Sequence, residues 1–187
     1  SESAKRLESY QHRREQRKTG LKILGIPTPF RTLNKTGIGW LPGELVSIFT
    51  RPTIGKTWLC VKIAAIAMKS GNKILYVSPE MPAEQIELRL DVVYGKMLGY
   101  TFSHTELKRG ELTNEKEYEK FLNEIHDQKR LFICDKIKGS SITLEGVYSL
   151  VRKWRPNMLI LDGIYLIAQD VTWENMQSVF GNLKSFC

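Results

Sequence analysis

The chain has 187 residues, 42% of them hydrophobic and 26% charged, an ordinary globular composition long enough to bury a core. No apolar run approaches the roughly 18 residues of a transmembrane helix, the polar N-terminus is no secretory signal, and Cys60, Cys134 and Cys187 lack both metal-pair spacing and the even count of a disulfide framework. The chain therefore reads as cytoplasmic, and its net charge of +8 favours a polyanionic partner.

Residues 1–22 carry Lys5, Arg6, Arg13, Arg14, Arg17, Lys18 and Lys22 against Glu2, Glu8 and Glu15, with Leu7 and Tyr10 at helical i, i+3 spacing. A solvated linker helix, a segment packed on a neighbouring subunit and a nucleic-acid arm all fit; the plainest is a linker with a charged face. A boundary is predicted near Thr19-Gly20. Gly25-Ile26-Pro27-Thr28-Pro29-Phe30 is a turn-rich entry, Phe30–Lys35 a short helix, and Gly37–Gly43 a loop.

Glu44-Leu45-Val46-Ser47-Ile48-Phe49 predicts a buried strand, and Trp58–Met68 is a helix of about three turns. Between them lies Thr50-Arg51-Pro52-Thr53-Ile54-Gly55-Lys56-Thr57. Strand, Gly-Lys-Thr loop and helix form the layout of a nucleoside triphosphate cradle. Backbone N–H groups face the phosphates, Lys56 reaches the β- and γ-phosphates, and the Thr57 hydroxyl holds Mg²⁺. Thr50 stands where the general pattern has glycine, so the tripeptide alone is weak and its context must carry the reading.

Lys73–Ser78 is a second β-type run, with Glu80 just past its end. Pro82–Leu98 presents Ile86, Leu90, Val93 and Met97 on one helical face, and Thr113 is predicted to cap the next helix. Leu131–Asp135 reads as a short buried strand. Thr143 caps a helix to about Lys153, whose apolar side is Leu144, Val147, Leu150 and Val151; Pro156 follows, then a third strand, Asn157–Asp162. Strands alternating with helices predict an α/β fold with a parallel sheet and right-handed crossovers.

Ligands of open α/β sheets bind beyond the carboxyl ends of the strands, which gathers Lys56 and Thr57, Glu80 and Asp162. Phosphoryl transfer to water needs charge neutralisation, positioning and a group that orients the water. Asp162 fits the metal shell and Glu80 the water-activating base. Taken singly, Asp162 reads equally as a strand-end turn residue, and Glu80 as a first-turn helix acid favoured by the macrodipole. In this order, behind a Gly-Lys-Thr loop, they read as an ATP-hydrolysing site. The histidines His12, His104 and His126 and the tryptophans Trp40, Trp58, Trp154 and Trp173 read as surface and packing residues, not as ligands or a base-stacking platform.

These motifs carry a family resemblance. From Gly25 onward the chain resembles the motor domain of DnaB-type replicative helicases, within the RecA-like P-loop ATPases. That family's cradle reads Arg-Pro-[Ser/Thr]-x-Gly-Lys-Thr and tolerates a non-glycine first position. Ser78-Pro79-Glu80-Met81-Pro82-Ala83-Glu84-Gln85 resembles its Ser-Leu-Glu-Met-[Ser/Pro]-x-Glu-Gln signature, and Leu159-Ile160-Leu161-Asp162 its Walker B strand. Gly25–Phe30 with Leu33-Asn34 resembles its Gly-x-Pro-Thr-Gly-Phe…Leu-Asp entry. Pro79 replaces the usual Leu, and Gly163-Ile164-Tyr165-Leu166 the commoner Tyr-Leu-Gln, a divergence similar to phage-encoded relatives.

The resemblance implies residues 1–20 as a basic linker and residues 21–187 as a RecA-like ATPase domain that stops before its last core strands. It further implies a larger protein, whose later segments supply a γ-phosphate sensor, DNA-contacting loops and an arginine finger. Arg51, Pro52, Thr53, Ile54, Gly55, Lys56, Thr57 and Trp58 would bind nucleotide, Glu80 and Lys56 would be catalytic, and Thr57 and Asp162 would hold Mg²⁺. The activity implied is ATP-dependent translocation on single-stranded DNA and unwinding of forked DNA by a homohexameric ring, with a primase and a helicase loader as further partners and no membrane. Two other readings share these residues: a RecA-like recombinase or mediator forming filaments on single strands, and a nucleotide-binding interaction module or loader-like partner whose hydrolysis DNA would not accelerate.

Overall fold

A computed structural model describes the chain except for residues 1, 19–22, 52, 137–141, 168–172 and 187, and the side chains of residues 16, 17, 173, 174, 176, 185 and 186. The predicted boundary at Thr19-Gly20 lies outside the described residues. The chain divides into two units, residues 1–44 and residues 45–187.

In the first unit, α1 (Glu2–Lys18) shows only exposed faces among its described side chains, as a helix polar nearly all round must. The entry segment closes on itself through two single bridges, Leu24 with Ile38 and Ile26 with Trp40. The short helix predicted at Phe30–Lys35 is α2 (Arg31–Asn34). Its last residue is clasped to the turn before it, because Asn34 Oδ1 accepts the Thr28 N–H at 2.9 Å while Asn34 Nδ2 donates to the Thr28 carbonyl at 2.8 Å.

The second unit runs α3 (Lys56–Lys69), β1 (Ile74–Val77), α4 (Ala83–Leu98), α5 (His104–Arg109), α6 (Glu115–Ile125), β2 (Leu131–Cys134), α7 (Leu144–Trp154), β3 (Met158–Leu161), a 3₁₀ turn (Ile164–Leu166) and α8 (Trp173–Phe186). Among the described residues the sheet has the order β2-β1-β3, all parallel, with β1 fully buried at its centre. Val77 is in register with Cys134 on one side and Leu161 on the other, so the three strands end at one level. On one face Leu75 and Val77 pack with Val147, Ile142 and Ile167, backed by Leu144, Leu150 and Trp154 of the α7 region. Successive side chains of a strand point to opposite faces, so Ile74 and Tyr76 look the other way, toward α3. Ala64, Ala65 and Ala67 of α3 are buried, and these small side chains let the helix lie close to its neighbours.

Three expectations are corrected. Glu44–Phe49 is not a buried strand: it pairs with no strand among the described residues, and Leu45, Val46 and Phe49 are exposed, Phe49 by 83%. An apolar run becomes a strand only when a neighbour takes up its backbone groups, and among the described residues neither open edge of the sheet, on β2 or on β3, pairs with this one. Thr113 does not cap the next helix. Asn114 holds that position, while the Thr113 hydroxyl turns to Glu106 Oε2 at 3.4 Å. The strand predicted at Leu131–Asp135 is β2, and as an edge strand it is half-buried rather than buried. Thr143 does cap its helix: its hydroxyl oxygen accepts the Gly146 N–H at 3.2 Å. No helix of the described residues is long and apolar enough to cross a membrane.

Candidate functional site

Gly55 turns the chain into α3 with a left-handed φ of 102°, a conformation that suits glycine, and among the described residues no side chain caps this helix end. The first N–H groups of a helix have no partner within it, and the first ladder bond here is Leu59 N–H to the Gly55 carbonyl at 3.0 Å. The amino end of α3 is therefore a cluster of donors with the positive end of the helix dipole behind them. Arg51, Thr53 and Ile54 of the preceding loop are exposed, Thr57 is half-buried in the first turn, and Pro52 lies outside the described residues. Trp58 is 37% exposed. Its ring meets His104 edge-on at 5.1 Å between centroids and lies under the Arg89 guanidinium at 5.6 Å.

Lys56 reaches across to the ends of two strands. Its Nζ stands 3.2 Å from Glu80 Oε2 and 3.2 Å from Asp162 Oδ1. Glu80 sits in the turn between β1 and α4, not in the first turn of the helix, so the macrodipole account of this residue does not apply. That turn is held at both ends. The Ser78 hydroxyl oxygen accepts the Met81 N–H at 3.1 Å, and Asp135, just past β2, accepts the Ala83 N–H at 2.9 Å. Asp162 follows β3 directly and is almost wholly buried.

Its two carboxylate oxygens differ. Oδ2 accepts a hydrogen bond from the Tyr76 hydroxyl at 2.9 Å, whereas Oδ1 has the ionic contact with Lys56 and no directed hydrogen bond among the described residues. Burial works against the charge of Lys56, but the negative charges of Asp162 and Glu80 outweigh it and raise the ammonium pKa above its ordinary value. Nearby, burial and then the charge of Asp162 push the Cys60 thiol up to about 12, so this cysteine stays protonated. Tyr165, in the 3₁₀ turn after Asp162, closes the outer side, with Lys56 Nζ 5.4 Å from its ring centroid. Burial and the Glu80 carboxylate raise the Tyr165 phenol.

Lys56, Glu80 and Asp162, read from the sequence, thus meet at one point. Tyr76, Asp135 and Tyr165 were not singled out. For Tyr76 a signal existed: a lone hydroxyl in an apolar strand must find a partner when buried.

A buried carboxylate oxygen that among the described residues has an ionic contact but no directed hydrogen bond, beside a lysine and a helix end without a side-chain cap there, suits a phosphate–metal pair: the helix end and Lys56 attract the anion, and Oδ1 offers a lone pair to a hydrated cation.

Known proteins resemble this chain along most of its length. The family described as DnaB-like helicase C terminal domain matches residues 25–184. The chain is 29% identical over 162 residues to the replicative DNA helicase DnaB of Haemophilus influenzae, which covers 82% of this chain and 33% of that protein. It is 31% identical over 164 residues to a probable plasmid replicative DNA helicase of Chlamydia muridarum, covering 86% of this chain and 35% of the relative. The chain thus spans about a third of the length of these relatives. A solved structure of a DnaB-like replicative helicase, studied for its interactions with primase, superposes with a TM-score of 0.72 over 94% of this chain and 43% of its own. At 20% identity that likeness bears on the fold alone.

Proposed function

Since the chain belongs to the DnaB-like helicase C-terminal domain family, with its α/β RecA-like fold, we propose that it is the ATP-hydrolysing motor of a replicative DNA helicase. The observation that carries this reading is the meeting of Lys56 with Glu80 and Asp162 at the open amino end of α3.

The chain's own groups divide the work. The backbone N–H groups at the start of α3 receive the phosphates of ATP, and Arg51, Pro52, Thr53, Ile54, Gly55 and Trp58 complete the cradle. Lys56 leaves its two carboxylates for the β- and γ-phosphates as nucleotide enters. That frees Asp162 Oδ1 and Glu80 Oε2 together. Thr57 and Asp162 are the residues that would hold Mg²⁺, which when bound neutralises charge on the phosphates. Glu80, 41% exposed and tethered by its turn, accepts the proton of the attacking water.

In the protein at its full length, ATP would sit between neighbouring subunits of a homohexameric ring, with an arginine of the next subunit completing the charge stabilisation. Turnover would drive movement along single-stranded DNA and open forked duplex in the cytoplasm. A primase and a helicase loader are the partners this reading adds.

The test is ATP turnover and forked-DNA unwinding by the full-length protein, with two variants. Lys56→Ala is expected to lose nucleotide binding or turnover. Glu80→Gln should bind ATP within about twofold of wild type while turnover falls about 10²–10⁴-fold and unwinding stops. Wild-type turnover by Glu80→Gln removes Glu80 from catalysis. DNA-stimulated hydrolysis without unwinding would move the assignment to a filament-forming recombinase, and neither activity would leave a nucleotide-binding module.

A further inference from the structure

We propose that Tyr76 is a positioning residue of the nucleotide site, whose hydroxyl fixes one oxygen of Asp162 so that the other is presented to Lys56 and to the metal. The proposal rests on the ATP and Mg²⁺ reading above.

The placement follows from the register of the sheet. Tyr76 of β1 is opposite Ile160 of β3, and Asp162 lies two residues beyond Ile160, on the same face. The Asp162 N–H continues the ladder to the Val77 carbonyl at 2.9 Å, which fixes the backbone from which the carboxylate projects. The Tyr76 side chain is fully buried, and its hydroxyl reaches diagonally across to Oδ2 at 2.9 Å.

The carboxylate torsion is broad and roughly two-fold, so a single donor decides which oxygen points where. With Oδ2 taken from inside the sheet, Oδ1 faces outward, 3.2 Å from Lys56 Nζ. Phenylalanine at this position would fill the same space and leave a buried carboxylate without its only directed donor among the described residues.

The experiment measures ATP affinity of the full-length protein in EDTA and across a Mg²⁺ titration, for wild type, Tyr76→Phe, Asp162→Asn and the double variant. Tyr76→Phe is expected to raise the Mg²⁺ midpoint about tenfold, the scale seen when a partner of a metal-holding group is removed, and to leave the EDTA affinity within about twofold. In the Asp162→Asn background the same change should move nothing further. An unchanged or lower midpoint, or equal weakening with and without Mg²⁺, overturns the proposal and leaves the ATPase reading standing. A wild type that binds no Mg·ATP overturns both. Should Tyr76→Phe fail to fold, adding Asp162→Asn removes the stranded charge, and recovery of cooperative melting is expected. Failure to recover would make Tyr76 a packing residue only.

Discussion

Glu80 leans on a residue without a side chain. Gly163, which follows Asp162, has a φ of 103°, and a Cβ built there would lie 3.4 Å from both Cβ and Oε2 of Glu80. The space is tight but ordinary; the backbone conformation is the costly part. Gly163→Ala is therefore expected to lower stability by about 1–2 kcal/mol through left-handed strain. Thermal melting should fall by roughly 2–8 °C in a domain of this size, with ATP affinity unchanged within about twofold, because the cradle around Lys56 and Thr57 is built on α3. An unchanged melting temperature would show that the turn relaxes to negative φ at no cost. At this scale the sequence was readable for the charged residues and silent for the others. Lys56, Glu80 and Asp162 each belong to a motif, whereas Tyr165 matters only through turn geometry, and Tyr76 shows in the sequence only as a hydroxyl in an apolar strand, its partner being set by register.

Between elements, the most exposed dependence on conditions is the seam of α4 and α6. Asp91 of α4 is 8% exposed, and its Oδ2 accepts the Tyr118 hydroxyl of α6 at 2.7 Å. Burial lifts the Asp91 carboxyl to about 6; the Tyr118 hydrogen bond opposes the shift and the Glu87 charge adds to it. The folded chain thus holds this proton more tightly than the unfolded chain, whose value is near 3.8. The stabilisation from Asp91 is fully present below about pH 4, is lost as pH rises to about 6, and is flat above. Asp91→Asn keeps an acceptor for Tyr118 and removes the titration. Relative to wild type it should gain on the order of 1–3 kcal/mol by pH 7, read as the difference in denaturant midpoints at pH 4, 5, 6 and 7. A pH-independent difference would remove Asp91 from this role. The helices on this side were legible because periodicity is local: Ile86 and Leu90 are buried as the spacing of α4 requires, and Val93 and Met97 of the same face are half-buried. Glu44–Phe49 was misread for the opposite reason. Its apolar composition is that of a core strand, but pairing is decided by what lies beside it, and among the described residues neither β2 nor β3 takes it up on its open edge. Thr113 was misread because Glu106, seven residues earlier, competes for its hydroxyl.

At the scale of the whole molecule, α1 stands out. Its described side chains are all exposed, including Leu7 and Tyr10 at 57% each. An isolated helix of this length is marginal in water, and the Lys18–Glu15 pair, exposed on both sides, adds only a few tenths of a kcal/mol. A surface that takes Leu7 and Tyr10 would supply what the helix lacks, and in the proposed ring a neighbouring subunit would offer one. Deleting residues 1–19 from the full-length protein is therefore expected to shift its mass by light scattering from hexamer toward monomer. ATP turnover should fall by about tenfold or more, since each site would lose the arginine that the proposed ring supplies across the interface. The competing role, a basic arm on nucleic acid, predicts something different: unchanged mass, with weaker single-strand binding and a shallower dependence of affinity on salt, because fewer phosphates are neutralised. Running both measurements on the same deletion separates the two. A lost hexamer with an unaltered salt slope makes α1 an assembly element, and an intact hexamer with a shallower slope makes it part of the DNA grip.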